Sequence, residues 1–526
     1  MDRRTWLTAM AAVAAVAACD RTSIDGSRAY AKTRDRFGSP DLFSSKITID
    51  PAHPGAPANH RLCGSNVQWV DGGDGLLPAT GTTMVASVLE RVKQLGPTVI
   101  RYPGGSQSDV FNWRASIGDA SVRGSSEHFH RKGRRQIVRF GTAEFLSLCE
   151  LIGAEPLITV NVATGSARDA GEWVRQTNVT GMKSPMTGRS LPKVPFWEIG
   201  NEPYLKEDHR AETWLEPPEF ARRANAAIRE MRKEDASIQI GIPLRSDSFN
   251  GIPVTPHQGF NQRLLPAISE KFDFVSLHNT YLPFLYDNTP DDDDIYVGLM
   301  AASETVRADL DATRTQLVSL VPGRTLPLAI TEYNAFVTLG RRQDAFLASP
   351  AGALYVADLL RLFAMQPDIL MANHWSLIGN WYFGAITSQG SPRPVFEVLR
   401  MYREVLRGNM LSLDVQTKTF SASRIGLMRE ASNVPVVTGI ATLQANRLKL
   451  LLINKDPHAS ANASLQLTTG RFANTRLRTL VARAPFAAPD AADAFIKSES
   501  NPVADNGLLT VALPPCSLSL LDATIS

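Results

Sequence analysis

The chain predicts an α/β fold, a (β/α)8 TIM barrel with a C-terminal all-β sandwich domain. Three observations carry that expectation. From about residue 60 to residue 408, eight apolar strand-like runs each precede an amphipathic helix pattern. The strand runs are hydrophobic throughout rather than alternating, as parallel strands covered on both faces should be. After residue 408 the helix patterns stop, and short strands separated by turn residues follow one another. A chain of 526 residues is long enough for both units.

The first 19 residues hold Arg3-Arg4, an apolar stretch from Trp6 to Ala18, and Cys19. The stretch is short for a membrane span. It reads as an export signal, to be set apart from the folded body. The paired arginines resemble a twin-arginine signal. Val16-Ala17-Ala18-Cys19 resembles the lipobox of bacterial lipoproteins. That implies lipidation at Cys19 and a protein exported to the periplasm or cell surface, held at a membrane by the lipid anchor alone. A plain secretory signal with a coincidental cysteine is the alternative. Residues 20–45, rich in Ser, Arg, Asp and Gly, read as a flexible tether. A strand-like run at 46–50 has no helix after it. It belongs either to the barrel unit, 46–408, or to the sandwich, 409–526.

The eight units follow in order. Strand 61–70 leads to a helix pattern over 83–96 that closes at Gly96. Strand 97–105 (PTVIRYPGG) leads to helix 142–153, again ended by glycine, and strand 156–162 to helix 167–177. Strand 194–202 (VPFWEIGNE) is followed by helix 217–235, which opens on Pro217-Pro218, where proline is tolerated. Strand 237–244 leads to helix 261–272, which carries Pro266, and strand 273–281 to a long helix within 295–321. Strand 327–335 precedes helix 352–366, and strand 369–378 precedes helix 391–406. The turn YPGGSQSD lacks Gly-x-Gly-x-x-Gly spacing, which disfavours an open dinucleotide-binding sheet. Seven short runs between 418 and 522 make the sandwich.

A net charge of +3, with basic residues scattered among acidic ones, is too small to imply nucleic acid as the partner, and none is expected. Cys63, Cys149 and Cys516 are too few and too dispersed for a disulfide framework. Neither a Cys-x-x-Cys nor a His-Glu-x-x-His pattern occurs, so no metal ligand is assigned and no cofactor is expected. The loop EHFHRKGRR (127–135) reads as a solvated segment over the barrel mouth rather than a metal site. PDDDDIY (290–296) lacks the spaced ligands and glycine of an EF-hand loop and reads as an acidic helix start. Trp381, Tyr382 and Phe383 form either a sugar platform or packing.

Barrels of this kind carry their chemistry at the C-terminal strand ends. The sequence places Arg101, Asn161, Asn201-Glu202, His278 to Tyr281, Thr331 to Tyr333, and His374-Trp375 there. Glu202 and Glu332 each interrupt an apolar strand, and closure of a barrel brings strands four and seven across one mouth. A single glutamate so placed serves equally well as a helix cap or an arginine partner. A pair fits hydrolysis of a glycosidic bond: one carboxyl protonates the leaving oxygen, and the other attacks the anomeric carbon or activates water. Carboxyls sharing a pocket split their pKa values, which supplies one acid and one base.

WEIGNEP followed by ITEY resembles the retaining glycoside hydrolases of clan A. RYPGGSQSDVFNWRASIGD is similar to the R-x-P-G-G…W…I-G stretch of glycoside hydrolase family 51, the α-L-arabinofuranosidases. LPPCSLSLLD resembles the closing strands of that family's sandwich, and the likeness runs over residues 46–526. It implies Glu202 as acid/base and Glu332 as nucleophile. It also implies Asn201 on the sugar hydroxyl beside the anomeric carbon and Arg101 holding the nucleophile ionised. His278 would support the acid/base, Tyr281 would lie near Glu332, and Trp375 would offer a stacking face. Three departures bear on sugar specificity and leave the pair intact. Ser106 stands where the family has asparagine. Asn66 and Gln68 stand where it has Phe-x-Glu. Tyr281 follows His278 by three positions instead of two. The expected activity is release of α-L-arabinofuranosyl residues from polysaccharide or oligosaccharide by double displacement, with carbohydrate as the partner. The alternatives are another clan A glycosidase, of β-glucanase, xylosidase or glucuronidase type, and a non-catalytic carbohydrate-binding surface lipoprotein.

Overall fold

The computed structural model describes residues 31–38, 41–246, 259–285, 290–336, 346–379, 381–487 and 494–526. The export signal and Cys19 lie outside the described residues. Among the described residues, no helix is long and apolar enough to cross a membrane.

Eight parallel strands close into a barrel: Gly64–Asn66, Val99–Tyr102, Glu155–Val160, Phe196–Ile199, Gln239–Pro243, Phe274–Leu277, Leu328–Tyr333 and Ile369–His374. The eighth strand meets the first through Asn373 opposite Gly64 and His374 opposite Ser65. The barrel is plugged at one level by Val99, Leu157, Phe196, Phe274, Ala329 and Met371, each from a different strand. Gly241, on the fifth strand, leaves the space Phe274 fills, since a Cβ there would lie 2.0 Å from the ring.

Side chains on a strand share a face every second residue. Two positions beyond the plug, the same six strands carry Arg101, Thr159, Glu198, Ser276, Thr331 and Asn373, all buried. One step of the strand repeat thus turns the interior from apolar to polar. That polar layer underlies the mouth.

The helices follow the expected units, with one shortened. The run 261–272 gives only helix Phe260–Leu264 and a 3-10 turn, Leu265–Ala267. Pro266 lacks the N–H that would continue the helix.

The second unit is nine strands hydrogen-bonded in one run and folded over a core. The fold is made at Asn409–Gln416. Its first three residues pair with Val437–Gln444, and its last five pair with Leu42–Asp50. A strand that changes partners midway turns the corner of a sandwich. Ile47, Ile49, Leu450, Leu452, Leu465 and Leu521 lie in the core so enclosed. Leu42–Asp50, the strand before the barrel, therefore pairs within this unit, antiparallel to Asn409–Gln416 and parallel to Ser460–Leu467.

That strand and the helix Ala31–Phe37 correct the expectation of a flexible tether through residue 45. Phe37 is buried and stacks on Phe420 at 4.5 Å. Thr33 Oγ1 lies 2.6 Å from His458 Nε2. Composition counted the polar residues of the segment. One buried aromatic ring and a row of backbone hydrogen bonds decide its order.

Candidate active site

The mouth is organised by one arginine. Arg101, near the end of the second barrel strand, is fully buried and turns each of its three guanidinium nitrogens to side-chain oxygens. Nε donates to Glu198 Oε2 at 2.7 Å, Nη1 to Glu332 Oε1 at 2.7 Å and Asn66 Oδ1 at 3.2 Å, and Nη2 to Asn201 Oδ1 at 2.8 Å. Its planar fork thereby fixes three strand ends and the nucleophile candidate relative to one another. Burial opposes the charge, but Glu198 and Glu332 outweigh burial and keep Arg101 protonated.

Glu332 receives a second bond from the Tyr281 hydroxyl, which donates to Oε2 at 2.5 Å. A carboxylate holding a donor on each oxygen is oriented and stabilised as an anion. The tyrosine itself is pushed well above its ordinary range, first by burial and then by the charges of Glu332 and Glu202, so it stays a donor.

Glu202 sits across from it on the loop after strand four. Its backbone is left-handed, with φ of +39°, a strained geometry for a residue with a side chain. His278 Nδ1 lies 2.9 Å from Glu202 Oε1 and 3.9 Å from Glu332 Oε1. Those two contacts cap the separation of the carboxylate oxygens at about 7 Å. A retaining pair stands about 5–5.5 Å apart and an inverting pair about 6.5–9.5 Å. Most of the inverting range is thus closed off.

The proton pattern on His278 follows from its other nitrogen. Burial alone raises the Glu198 carboxyl, but Arg101, His278 and hydrogen bonds outweigh it and hold Glu198 below the usual range. Glu198 is therefore an acceptor, and the Thr331 hydroxyl donates to its Oε1 at 2.8 Å. His278 Nε2, 2.9 Å from Thr331 Oγ1, must then be the donor there. Nδ1 is left free to hold or release a proton toward Glu202. Burial lowers the His278 pKa, yet Glu332 and Glu202 together raise it above its ordinary value. The imidazole can thus serve Glu202 in either protonation state.

Asn201 is held by Arg101 at its side chain, and its N–H donates to Asp109 Oδ1 at 3.3 Å. Burial, reinforced by the Glu202 charge, pushes Asp109 well above the carboxylate range. Trp375 lies half-buried over Gly105, where an added Cβ would come 2.7 Å from the ring. Gly105 also has φ of +41°, so both space and conformation require glycine in the Pro-Gly-Gly turn.

The structure thus brings Glu202, Glu332, Arg101, Asn201, His278 and Tyr281 into one bonded cluster, with Trp375 beside the Pro-Gly-Gly turn. Other strand-end residues do not join it. Asn161 bonds Thr164 in its own loop and the Phe111 carbonyl in the loop after strand two. His374 is buried against Ser376 O, and Tyr333 packs on Phe363 and His374. Phe383 is buried and stacks with Phe336. Glu198, the hub that Arg101, Thr159 and Thr331 all donate to, is absent from the strand-end set. A signal for it exists: a glutamate two residues after Phe196 on one strand face, inside a run otherwise apolar.

The Phe-x-Glu departure also has a structural counterpart. Gln68 donates from its backbone N–H and its amide to the Asp74 carboxylate at 2.9 and 3.0 Å. Burial raises Asp74 to about 7.

Residues 91–250 match the family model described as the alpha-L-arabinofuranosidase 1 domain. That stretch holds Arg101, Glu198, Asn201 and Glu202. Alpha-L-arabinofuranosidase C of Emericella nidulans is 32% identical over 216 residues, covering 37% of this chain and 41% of that protein. The intracellular exo-alpha-(1->5)-L-arabinofuranosidase of Streptomyces lividans is 27% identical over 263 residues, 46% of this chain and 38% of the relative. The chain therefore spans less than half the length of these curated relatives. The crystal structure of the Thermotoga maritima alpha-L-arabinofuranosidase in its arabinose complex superposes with a TM-score of 0.76 at 19% identity, covering 92% of this chain and all of that one. That likeness is one of fold.

Proposed function

We propose that this chain is a retaining glycoside hydrolase that releases α-L-arabinofuranosyl residues from polysaccharide or oligosaccharide. The observation that carries the reading is the arrangement of the two carboxylates. Glu332 is held between Arg101 and Tyr281, and Glu202 is within hydrogen-bonding reach of His278, a residue also close to Glu332. The names of the relatives supply the sugar.

The steps follow from the side chains. Glu332 attacks the anomeric carbon while Glu202 passes a proton to the leaving oxygen, and a covalent glycosyl-enzyme forms. Once Glu332 is esterified, one negative charge near Glu202 is gone. Glu202, now ionised, takes a proton from water. The hydroxide displaces Glu332 from the anomeric carbon, so configuration is retained. Asn201, fixed by Arg101, bonds the hydroxyl beside the anomeric carbon. That contact strengthens as oxocarbenium character develops. Gln68 stands where the resembled family holds the furanose through a glutamate, and it is held by Asp74, so sugar choice is expected to respond to Gln68.

Incubation with an activated fluoro-arabinofuranoside followed by peptide mass spectrometry tests the reading. An adduct on the peptide carrying Glu332 is the expected result. Turnover of β-glucosides or glucuronides alone, with no arabinosyl adduct, would replace it with another clan A activity. Export and lipidation at Cys19 remain part of the proposal. Cys19→Ala is expected to shift the protein from the membrane to the soluble fraction.

A further inference from the structure

We propose that His130, Glu207 and His209 form a zinc site at the rim of the barrel mouth. The two imidazoles and the carboxylate come from different loops: His130 from the one after strand two, Glu207 and His209 from the one after strand four. One potential ligand atom from each falls within 4.8 Å of the others. Zinc bound at roughly 2.0–2.2 Å to nitrogen and oxygen in a tetrahedron sets its ligand atoms about 3.4 Å apart. Glu207 Oε2 and His209 Nδ1 already stand at 3.4 Å. His130 lies within 4.8 Å of both, so it needs to close by at most about 1.4 Å to reach that tetrahedral spacing.

The scaffold beneath the three groups is rigid. Arg210, buried next to His209, donates from Nε and Nη2 to the carbonyls of Phe129 and His128, each at 2.6 Å. Gln107 accepts from the Phe129 N–H at 3.0 Å. The Phe129 ring meets His130 and His209 edge-on, at 5.1 and 5.6 Å. Both histidines are therefore aimed by a buried aromatic and a buried arginine. The arginine charge beside a cation site is balanced, since Nη1 bonds Glu127 at 2.7 Å and Glu212 at 3.1 Å.

The ligand chemistry selects the metal. Two nitrogens and one oxygen suit zinc, whereas calcium and magnesium take oxygen shells. Three protein ligands leave a fourth position for water or a substrate oxygen. A metal here would tie the strand-two loop to the loop that carries Glu202, five residues before Glu207. The inference is independent of the glycosidase reading.

The test uses the full chain without an affinity tag, stripped with a chelator and titrated calorimetrically with zinc chloride and, separately, calcium chloride. One zinc per chain is expected. The affinity should fall at least tenfold in His209→Ala and in Glu207→Gln and stay unchanged in His53→Ala, a change at an exposed histidine elsewhere. His130→Asn serves in place of either variant that does not melt cooperatively. Substoichiometric zinc, equal affinity in the ligand variants, or calcium binding as tight as zinc overturns the site.

Discussion

Two buried ion clusters in this molecule are mirror images in charge. At the mouth one cation, Arg101, serves two anions, Glu198 and Glu332. Where the barrel meets the sandwich one anion, Asp358, serves two cations, Arg361 at 2.6 Å and Lys455 at 2.7 Å. Asp358 also accepts from Ser303 and Thr438, so protein donors surround it. Burial raises its pKa, but Arg361 and Lys455 outweigh burial and hold it well below the carboxylate range. Nothing in that cluster is left for a ligand to do. The mouth has the opposite balance: negative charge is in excess of Arg101, and the Glu202 side chain keeps 15% of its surface open against 4% for Asp358. Burial of charge is common to both. An uncompensated, partly open carboxylate singles out the mouth as the candidate site for chemistry.

The largest effect expected from breaking this comparison is on turnover. Glu332→Gln keeps the shape of the side chain and removes the nucleophile, so kcat should fall roughly 10^4-fold or more with folding intact. Steady-state rates on an aryl arabinofuranoside beside a thermal melt read both quantities. A residual rate within tenfold of wild type would place the chemistry elsewhere. Asp358→Asn should do the reverse. It strands Lys455 and Arg361 without their anion and should cost about 3–5 kcal/mol of stability. The rate per folded molecule should stay within a few-fold. Urea unfolding with active-site titration checks it, and an unchanged midpoint would show that the junction cluster is not structural.

Glu198→Gln sharpens the comparison, because Glu198 belongs to the mouth cluster yet is fully buried beneath it. Its loss lets Arg101 swing relative to Glu332, and a misplacement of about 1 Å costs on the order of 10²-fold in kcat. KM should move little, since Asn201 and Trp375 remain. A fall in KM-controlled binding with normal kcat would assign Glu198 a different part.

How far these features are legible in sequence depends on what each requires. The eight barrel strands are legible because parallel strands covered on both faces are apolar at every position. Their lengths are not: the first reads as 61–70, but only Gly64–Asn66 pairs, because His60–Cys63 coils into a 3-10 turn. Glu202 and Glu332 are legible because each breaks an apolar run at its end. Glu198 breaks a run in its middle, where the surrounding Phe196, Trp197 and Ile199 mask a single inward polar position. The His130–Glu207–His209 cluster is half legible: Glu207 and His209 stand two residues apart and His130 lies in the loop 127–135 weighed above against a metal site, but the long stretch of chain between the two loops hides that the fold brings them together. Phe37 escaped for a related reason. One buried ring outweighs a polar composition only when Phe420 stands opposite, and that neighbour is set by the fold.

The smallest effect is the one on pH. His278 holds its proton more tightly folded than unfolded, because the nearby Glu332 and Glu202 carboxylates outweigh its burial. A raised pKa contributes stability that is full below the unfolded value, about 6.5, and is lost as pH rises through the folded value. Glu198 runs the other way. Its lowered pKa contributes above about 4.3 and is lost as pH falls. Asp358 shares that acid-side behaviour, so the junction and the mouth weaken together in acid, and only the mouth carries this histidine loss on the alkaline side. Other groups, Asp74 among them, add slopes of their own, so the informative quantity is the difference between wild type and His278→Gln. Unfolding free energies from urea titrations at pH 6 to pH 9 should show that difference shrinking steadily with pH. A difference that stays constant over the window would mean that His278 binds its proton equally in the folded and unfolded chain, and one that grows with pH would mean that it is neutral when folded.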